Sequence, residues 1–313
     1  MFAVQTMYHS IKIYSRIGEL MQGVLPDASA FLVSGLLSRR WFSEATVGRA
    51  SEAEGCDGGG CAPNKLGGVS GGALPPKARE ALDILLGGKG LPAGVSIGLR
   101  SNIPWGKGLA SSSADVLSVL SVVNDYLEVG LEPEELYRIA ARVDPTDPCL
   151  SDDIVVFHQH SGQRGQEIFL PPVSLLYFDA APGRCIETLG VKRHWPRGAG
   201  AFFAWLLQRL ISAAEQGDYA LLFDSITYSA EYNQMVLPLP GFDEYRRLAG
   251  EVGAGLMVAH SGTVAGLLVA PEQEPVLVPK LQALMRSRGD VPIYREQYSS
   301  SYPRYECEPF TVR

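Results

Sequence analysis

Pro104-Trp105-Gly106-Lys107-Gly108-Leu109-Ala110-Ser111-Ser112-Ser113-Ala114 sets a glycine-bracketed turn and three hydroxyls directly before a strongly apolar helical stretch. Gly106 and Gly108 permit positive φ and close backbone approach. The first N–H groups of the following helix have no partner within it and carry the positive end of its dipole. An anion sits well there, and a triphosphate with magnesium best of all. The same residues also read as an ordinary cap after a glycine-rich loop, because serine caps helices in any context. Two companion segments, at Gly18 to Gly23 and Ala259 to Leu267, favour the phosphate cradle.

Outward from the cradle, Val116, Leu117, Val119, Leu120, Val123, Tyr126 and Leu127 predict a helix apolar over much of its circumference, as a central buried helix is. A second helix is predicted over Pro133 to Val143. Pro133 suits a first turn, Glu134 and Glu135 favour the N-terminal dipole, and Pro145 cannot continue the helix. Upstream, alternation in Ala30 to Leu37, Trp41 to Val47 and Val95 to Leu99 predicts three strands with one buried face. Lys77 to Leu86 reads as a short helix ended by Gly87-Gly88. Ser51 to Leu74 holds many glycines and almost no large apolar residues, so a mobile loop is expected there.

Downstream, Ile154 to His158 and Leu175 to Phe178 are short strand candidates. Helices are predicted over Ala201 to Glu215, Tyr219 to Met235, Phe242 to Val252 and Leu277 to Arg286. Gly255 to Ala259 and Val264 to Val269 read as strands around His260-Ser261-Gly262-Thr263, and Val291 to Tyr294 as extended chain. Strands, then helices, then strands again suggest an α+β protein in two modules, divided as 1–170 and 171–313.

Composition narrows the function. Lys and Arg number 27 against 34 acidic residues, a formal charge of −7, with no basic block to track a phosphodiester backbone, so nucleic acid is not expected as a partner. No apolar run is long enough to span a membrane, and Met1 to Tyr14 lacks the charged-then-apolar order of a signal peptide. A cytoplasmic protein is expected. The five cysteines, Cys56, Cys61, Cys149, Cys185 and Cys307, are scattered and odd in number, which suits reduced thiols, and Cys56 and Cys61 lack the second pair of a zinc site.

The Walker A pattern is absent, since Gly106-Lys107 is followed by Gly108 and Gly88-Lys89 by Gly90, and there is no dinucleotide fingerprint. Instead the cradle matches Pro-x3-Gly-Leu-x-Ser-Ser. Gly18-Glu19-Leu20-Met21-Gln22-Gly23 stands near the N-terminus, and Ala259-His260-Ser261-Gly262-Thr263-Val264-Ala265-Gly266-Leu267 near the C-terminus. In pattern, order and distance these three segments resemble the motifs of the GHMP kinases, which include galactokinase, homoserine kinase, mevalonate kinase and phosphomevalonate kinase. The Gly-Glu-Leu-x-Gln-Gly form, the Asp144-Pro-Thr-Asp147 turn and the Ala-His-Ser-Gly-Thr-Val element are most similar to the L-threonine kinases of cobalamin synthesis. Lys77-Ala-Arg-Glu-Ala81 and Ser229-Ala-x-x-Asn233-Gln234 add to that likeness, which spans Gly18 to Val269.

The resemblance implies a two-domain fold: an N-terminal ATP-binding domain like ribosomal protein S5 domain 2, and a C-terminal ferredoxin-like α/β sandwich. It implies transfer of the γ-phosphoryl of ATP to the side-chain hydroxyl of L-threonine, with Mg2+, giving O-phospho-L-threonine for the cobalamin nucleotide loop. Homoserine, serine or a mevalonate-like alcohol is the alternative acceptor, and nucleotide binding as a regulatory signal without turnover the alternative role. The oligomeric state is open.

Phosphoryl transfer requires positioning and charge neutralisation more than covalent help. Pro104, Gly106, Lys107, Gly108, Leu109, Ala110, Ser111, Ser112 and Ser113 are the expected nucleotide-binding residues. By family position Ser112 and Asp144 would hold magnesium. Relatives generally carry Glu at the second place, and Asp is one methylene shorter. Asp147, between Pro145 and Pro148, would accept or orient the proton of the acceptor hydroxyl. Both aspartates also read as turn formers, which Asp beside Pro commonly is. Glu19, Gln22, Ser261, Gly262 and Thr263 are expected near the acceptor. The 261–263 segment reads equally as a plain β-turn. Tyr14-Ser15-Arg16 departs from the small and proline-containing residues usual before the first motif. Arg16, Arg100, Glu19 and Asp179 are the charged residues available to clamp a free amino acid.

Overall fold

Two long antiparallel strands, β1 (His9–Val24) and β2 (Ala30–Arg49), form the spine of the protein in the computed structural model, which describes residues 9–49, 74–187 and 195–299. Asp27 accepts hydrogen bonds from the backbone and hydroxyl of Ser29 in the turn between them. The two stretches read separately as strands, Ala30 to Leu37 and Trp41 to Val47, belong to one strand. Tyr14 pairs with Phe42 and the next residue, Ser15, with Ser38, so the residues between Ser38 and Phe42 bulge out without ending the strand. β1 has no alternating pattern because Arg16 to Val24 is buried on both faces. Its polar Ser15, Arg16, Glu19 and Gln22 are all inside.

Among the described residues the sheet has nine strands, in the order β5-β4-β2-β1-β7-β8-β6-β9, with β3 (Val95–Ser101) also on β2. β4 (Val155–His158) and β5 (Gln163–Glu167) extend one edge. β6 (Val173–Asp179), β7 (Gly255–Val258), β8 (Val264–Val269) and β9 (Tyr294–Tyr298) make the other. The halves join where Glu19 of β1 pairs with Val258 of β7. The division drawn at residue 170 falls between β5 and β6, and one continuous sheet runs across it. Val291 to Ile293, read as extended, precedes β9 outside the sheet, after a turn in which Gly289 and Asp290 both have positive φ.

Helix α1 (Pro76–Leu85) packs on α2 (Ser111–Tyr126) and on α3 (Pro133–Val143). Ten residues of α2, from Ser113 to Val123, are buried against β1 and β2, as its all-round apolarity requires. Each fully buried Val or Leu there contributes roughly 1.5–3 kcal/mol. α3 keeps its predicted bounds, helped by a capping box between Glu132 and Glu135.

In the second half, strand alternation sends Leu175 and Tyr177 to the core shared with α4 (Ala199–Gln216) and α5 (Tyr219–Gln234). Leu176 and Phe178 face a separate core with α6 (Phe242–Val252) and α7 (Glu274–Ser287). The architecture is α+β, as read from the sequence. Cys149 and Cys185 are free thiols. Among the described residues no helix is long and apolar enough to cross a membrane. The predicted loop at Ser51 to Leu74, apart from Leu74, lies outside the described residues with Cys56, Cys61 and Cys307.

Candidate active site

A cleft of about 460 Å³ opens between α1, the N-terminus of α2 and the β7–β8 turn, a size suited to a small ligand. Its floor is the β3–α2 loop. Gly108 has φ +82°, and a Cβ there would lie 2.1 Å from the Ala259 Cβ. A Cβ on Gly262 would meet the Gly108 nitrogen at 2.2 Å. Neither position admits a side chain, because two backbone segments touch there.

That contact is how the three sequence motifs meet. The Gly18 N–H donates to the Gly108 carbonyl at 3.1 Å, and the Thr263 and Val264 N–H groups donate to the Lys107 carbonyl at 3.0 Å. The His260 N–H donates to the Glu19 carboxylate.

Ala110, in the left-handed region at φ 56°, turns the chain into α2. The first helical bond is Ala114 N–H to Ala110 O, at 2.9 Å. The amides of Ser111, Ser112 and Ser113 are therefore the unpaired first-turn donors of a long helix, and all three serines line the cleft.

Asp147 is tied to this helix end. Its carboxylate accepts from the Ser113 hydroxyl at 2.9 Å, and its N–H donates to the same oxygen at 3.0 Å. Ser113 thus spends its side chain on positioning Asp147. Burial pushes the Asp147 carboxyl up to about 6, helped by the charge of Asp144 and opposed by the Ser113 hydrogen bond and Arg16. Asp144, the residue after α3, is only 7% exposed; one oxygen accepts from the Lys77 ammonium while Oδ1 is buried with no hydrogen-bond partner. A carboxylate with one oxygen unsatisfied, on the wall of the cleft that Ser112 also lines, fits a divalent cation.

Arg16 is buried and donates to the carbonyls of Pro148 at 3.2 Å, Gly35 at 3.1 Å and Asp153 at 2.8 Å, and to Ser151. Its guanidinium moulds the loop behind Asp147 and is not free to clamp a carboxylate. Arg100 pairs with Glu44 at 2.8 Å, and Asp179 with Lys107 at 2.7 Å. Of Arg16, Arg100, Glu19 and Asp179, Glu19 alone lines the cleft, with Gln159, His260 and Ser261. Gln159 Nε2 and His260 Nε2 are 3.3 Å apart.

Several predicted site residues lie elsewhere. Lys107 points away from the cleft: its ammonium donates to the carbonyls of Ala181, Pro182 and Arg184 and pairs with Asp179. The reason is electrostatic, because a nearly buried ammonium is held where a carboxylate and three carbonyls satisfy it. Thr263 is fully buried with its hydroxyl on Asp179 at 2.6 Å. Gln22 is buried, its N–H donating to the Ser229 hydroxyl at 2.9 Å. Gly262 packs against the backbone of Lys107 and Gly108, and neither it nor Pro104 lines the cleft.

Lys77, Asp115, Gln159 and Trp105 line the cleft without having been read as site residues. The Asp115 carboxyl is held up by burial against hydrogen bonds from Ser43 and Ser101. Its position four residues after Ser111, one helical turn on, was the available signal. Lys77 and Trp105 lie inside quoted segments, Lys77-Ala-Arg-Glu-Ala81 and the cradle itself, and no local pattern marked Gln159.

The GHMP kinases N terminal domain model matches residues 76–158, the stretch carrying α1, the cradle and both aspartates. L-threonine kinase of Citrobacter freundii is 31% identical over 205 residues, 62% of this chain and 70% of that protein. L-threonine kinase of Salmonella typhimurium is 29% identical over 184 residues, 56% of this chain and 60% of that one. The solved structure of MDDEF in complex with MVAPP, AMPPCP and magnesium overlays with a TM-score of 0.64 at 16% identity, covering 94% of this chain and 100% of that one. With the motifs, the relatives and the fold converging on one cleft, the chain belongs to the GHMP kinase family.

Proposed function

We propose that this protein is an ATP-dependent, cytoplasmic kinase that phosphorylates the side-chain hydroxyl of L-threonine, giving O-phospho-L-threonine. One observation carries the reading. Ser113 links the anion-binding end of α2 to Asp147, so phosphate donors and a carboxylate of raised pKa stand side by side in one cleft.

The amides of Ser111 to Ser113 hold the triphosphate, with the α2 dipole behind them. Ser112 and Asp144 would hold magnesium, which supplies charge neutralisation on the phosphates when bound. Asp147 orients the acceptor hydroxyl and takes its proton as the bond to phosphorus forms. With a carboxyl titrating at about 6, Asp147 is mostly ionised at pH 7 yet basic enough to be an effective acceptor. The phosphate loop and Asp147 hold donor and acceptor in line, which is most of what such a loose transfer requires. Glu19 offers a negative charge to the acceptor's ammonium, and the likeness to the two L-threonine kinases favours threonine over other hydroxylated amino acids.

The test is ATP consumption with Mg2+ across L-threonine, L-serine, L-homoserine and mevalonate, with products identified by mass. Phosphothreonine formed with a clear kcat/KM advantage is expected. Preference for another alcohol refutes the acceptor assignment, and nucleotide binding without turnover on the panel refutes the kinase reading.

A further inference from the structure

Lys77 and Asp144 form an ion pair across the cleft wall in which each charge opposes its own helix. Lys77 is the second residue of α1, so its ammonium stands at the positive end of that dipole. Asp144 caps the C-terminus of α3, so its carboxylate stands at a negative end. The pair resolves both conflicts only in part, because Asp144 Oδ1 stays buried without a hydrogen-bond partner. The side chain of Lys77 is 35% exposed and that of Asp144 is 7%, which leaves the flexible lysine free to move and the aspartate fixed. α1 also packs on α2, and Lys77 lines the same cleft as Ser111, Ser112 and Ser113.

We propose that Lys77 is the exchangeable counter-ion of Asp144 and a phosphate-binding residue of the transfer reaction. In the nucleotide-free cleft its ammonium occupies the place of a divalent cation against Asp144. With nucleotide bound, Asp144 exchanges Lys77 for the metal, and the ammonium moves onto the triphosphate oxygens. The lysine then offsets phosphate charge that a single divalent ion leaves uncompensated. This inference rests on the kinase reading above.

Two binding constants separate the two halves of the exchange. Mn2+ alone is titrated by electron paramagnetic resonance, and the non-hydrolysable analogue AMPPCP with Mn2+ by calorimetry, on the wild type, Lys77→Met and Lys77→Arg. Lys77→Met should bind Mn2+ alone about tenfold more tightly, since the competing cation is gone, and Mn2+–AMPPCP about tenfold more weakly, through loss of a charge-assisted contact. Lys77→Arg should restore both toward wild type. Both constants within twofold of wild type in Lys77→Met, or both weakened together, would overturn the exchange. If the wild type turns over and binds AMPPCP normally under those outcomes, only the Lys77 inference fails; if the wild type binds no nucleotide, the kinase reading and the inference fail together.

Discussion

Asp147→Asn keeps the shape of the side chain and an oxygen to accept from Ser113, and removes the capacity to take a proton. Activity and stability should then move in opposite directions. The Asp147 carboxyl is raised from 3.8 to about 6, chiefly by burial, which at about 1.4 kcal/mol per pH unit is of order 3 kcal/mol of disfavoured charge at pH 7. A group raised in the fold binds its proton more tightly there than in the unfolded chain. Its ionisation therefore erodes stability as pH climbs from about 4 to about 6.

Asn carries no such charge, so the variant should unfold at equal or higher denaturant at pH 7, by about 1–3 kcal/mol. Near pH 4 that advantage should vanish. Loss of a positioned general base costs roughly 10²–10⁴ in turnover, and AMPPCP affinity should stay near wild type. The wild-type kcat/KM should rise with pH through an apparent pKa near 6, and the variant should lose that limb. Urea denaturation at pH 4 and pH 7, with steady-state kinetics over the same range, checks all of this. Near-full activity in Asp147→Asn refutes the base assignment. An inactive variant that is also destabilised at pH 7 refutes the account of its burial.

Gly108→Ala would drive a Cβ to 2.1 Å from Ala259 at φ +82°; nucleotide affinity should fall at least about tenfold in calorimetry, with stability lowered by roughly 2 kcal/mol or more. Lys107→Met removes the cation that ties the phosphate loop to Asp179 and to the carbonyls of Ala181, Pro182 and Arg184; a loss of about 3–5 kcal/mol is expected in urea. Arg16→Lys replaces a fork that reaches carbonyls of Gly35, Pro148, Ser151 and Asp153 with a point charge. It should lower stability by roughly 2–3 kcal/mol and kcat more than KM, read by denaturation and kinetics.

What the chain declared on its own was whatever depends on neighbours in sequence. The cradle is legible because glycines at positive φ and a helix start are local facts, and Gly108 and Ala110 adopt them. α3 and α6 keep their predicted bounds because Pro133, the acidic first turns and Gly253 are local punctuation. β8 likewise spans its predicted residues. Even the pairing of Asp144 with Asp147 near one site followed from a stiff proline turn.

Direction and partnership came only from the tertiary structure. β1 escaped a period-two reading because it is covered on both faces and its polar positions meet distant segments: the Arg16 guanidinium reaches carbonyls more than a hundred residues away, and the Gln22 backbone N–H reaches the Ser229 hydroxyl. Lys107 faces away from the cleft, Ser113 serves Asp147, and Lys77 reaches Asp144. Residue types state what chemistry is available. Which of those groups meet depends on long-range packing, where burial drives most polar atoms to a partner and only the folded chain decides which one it is.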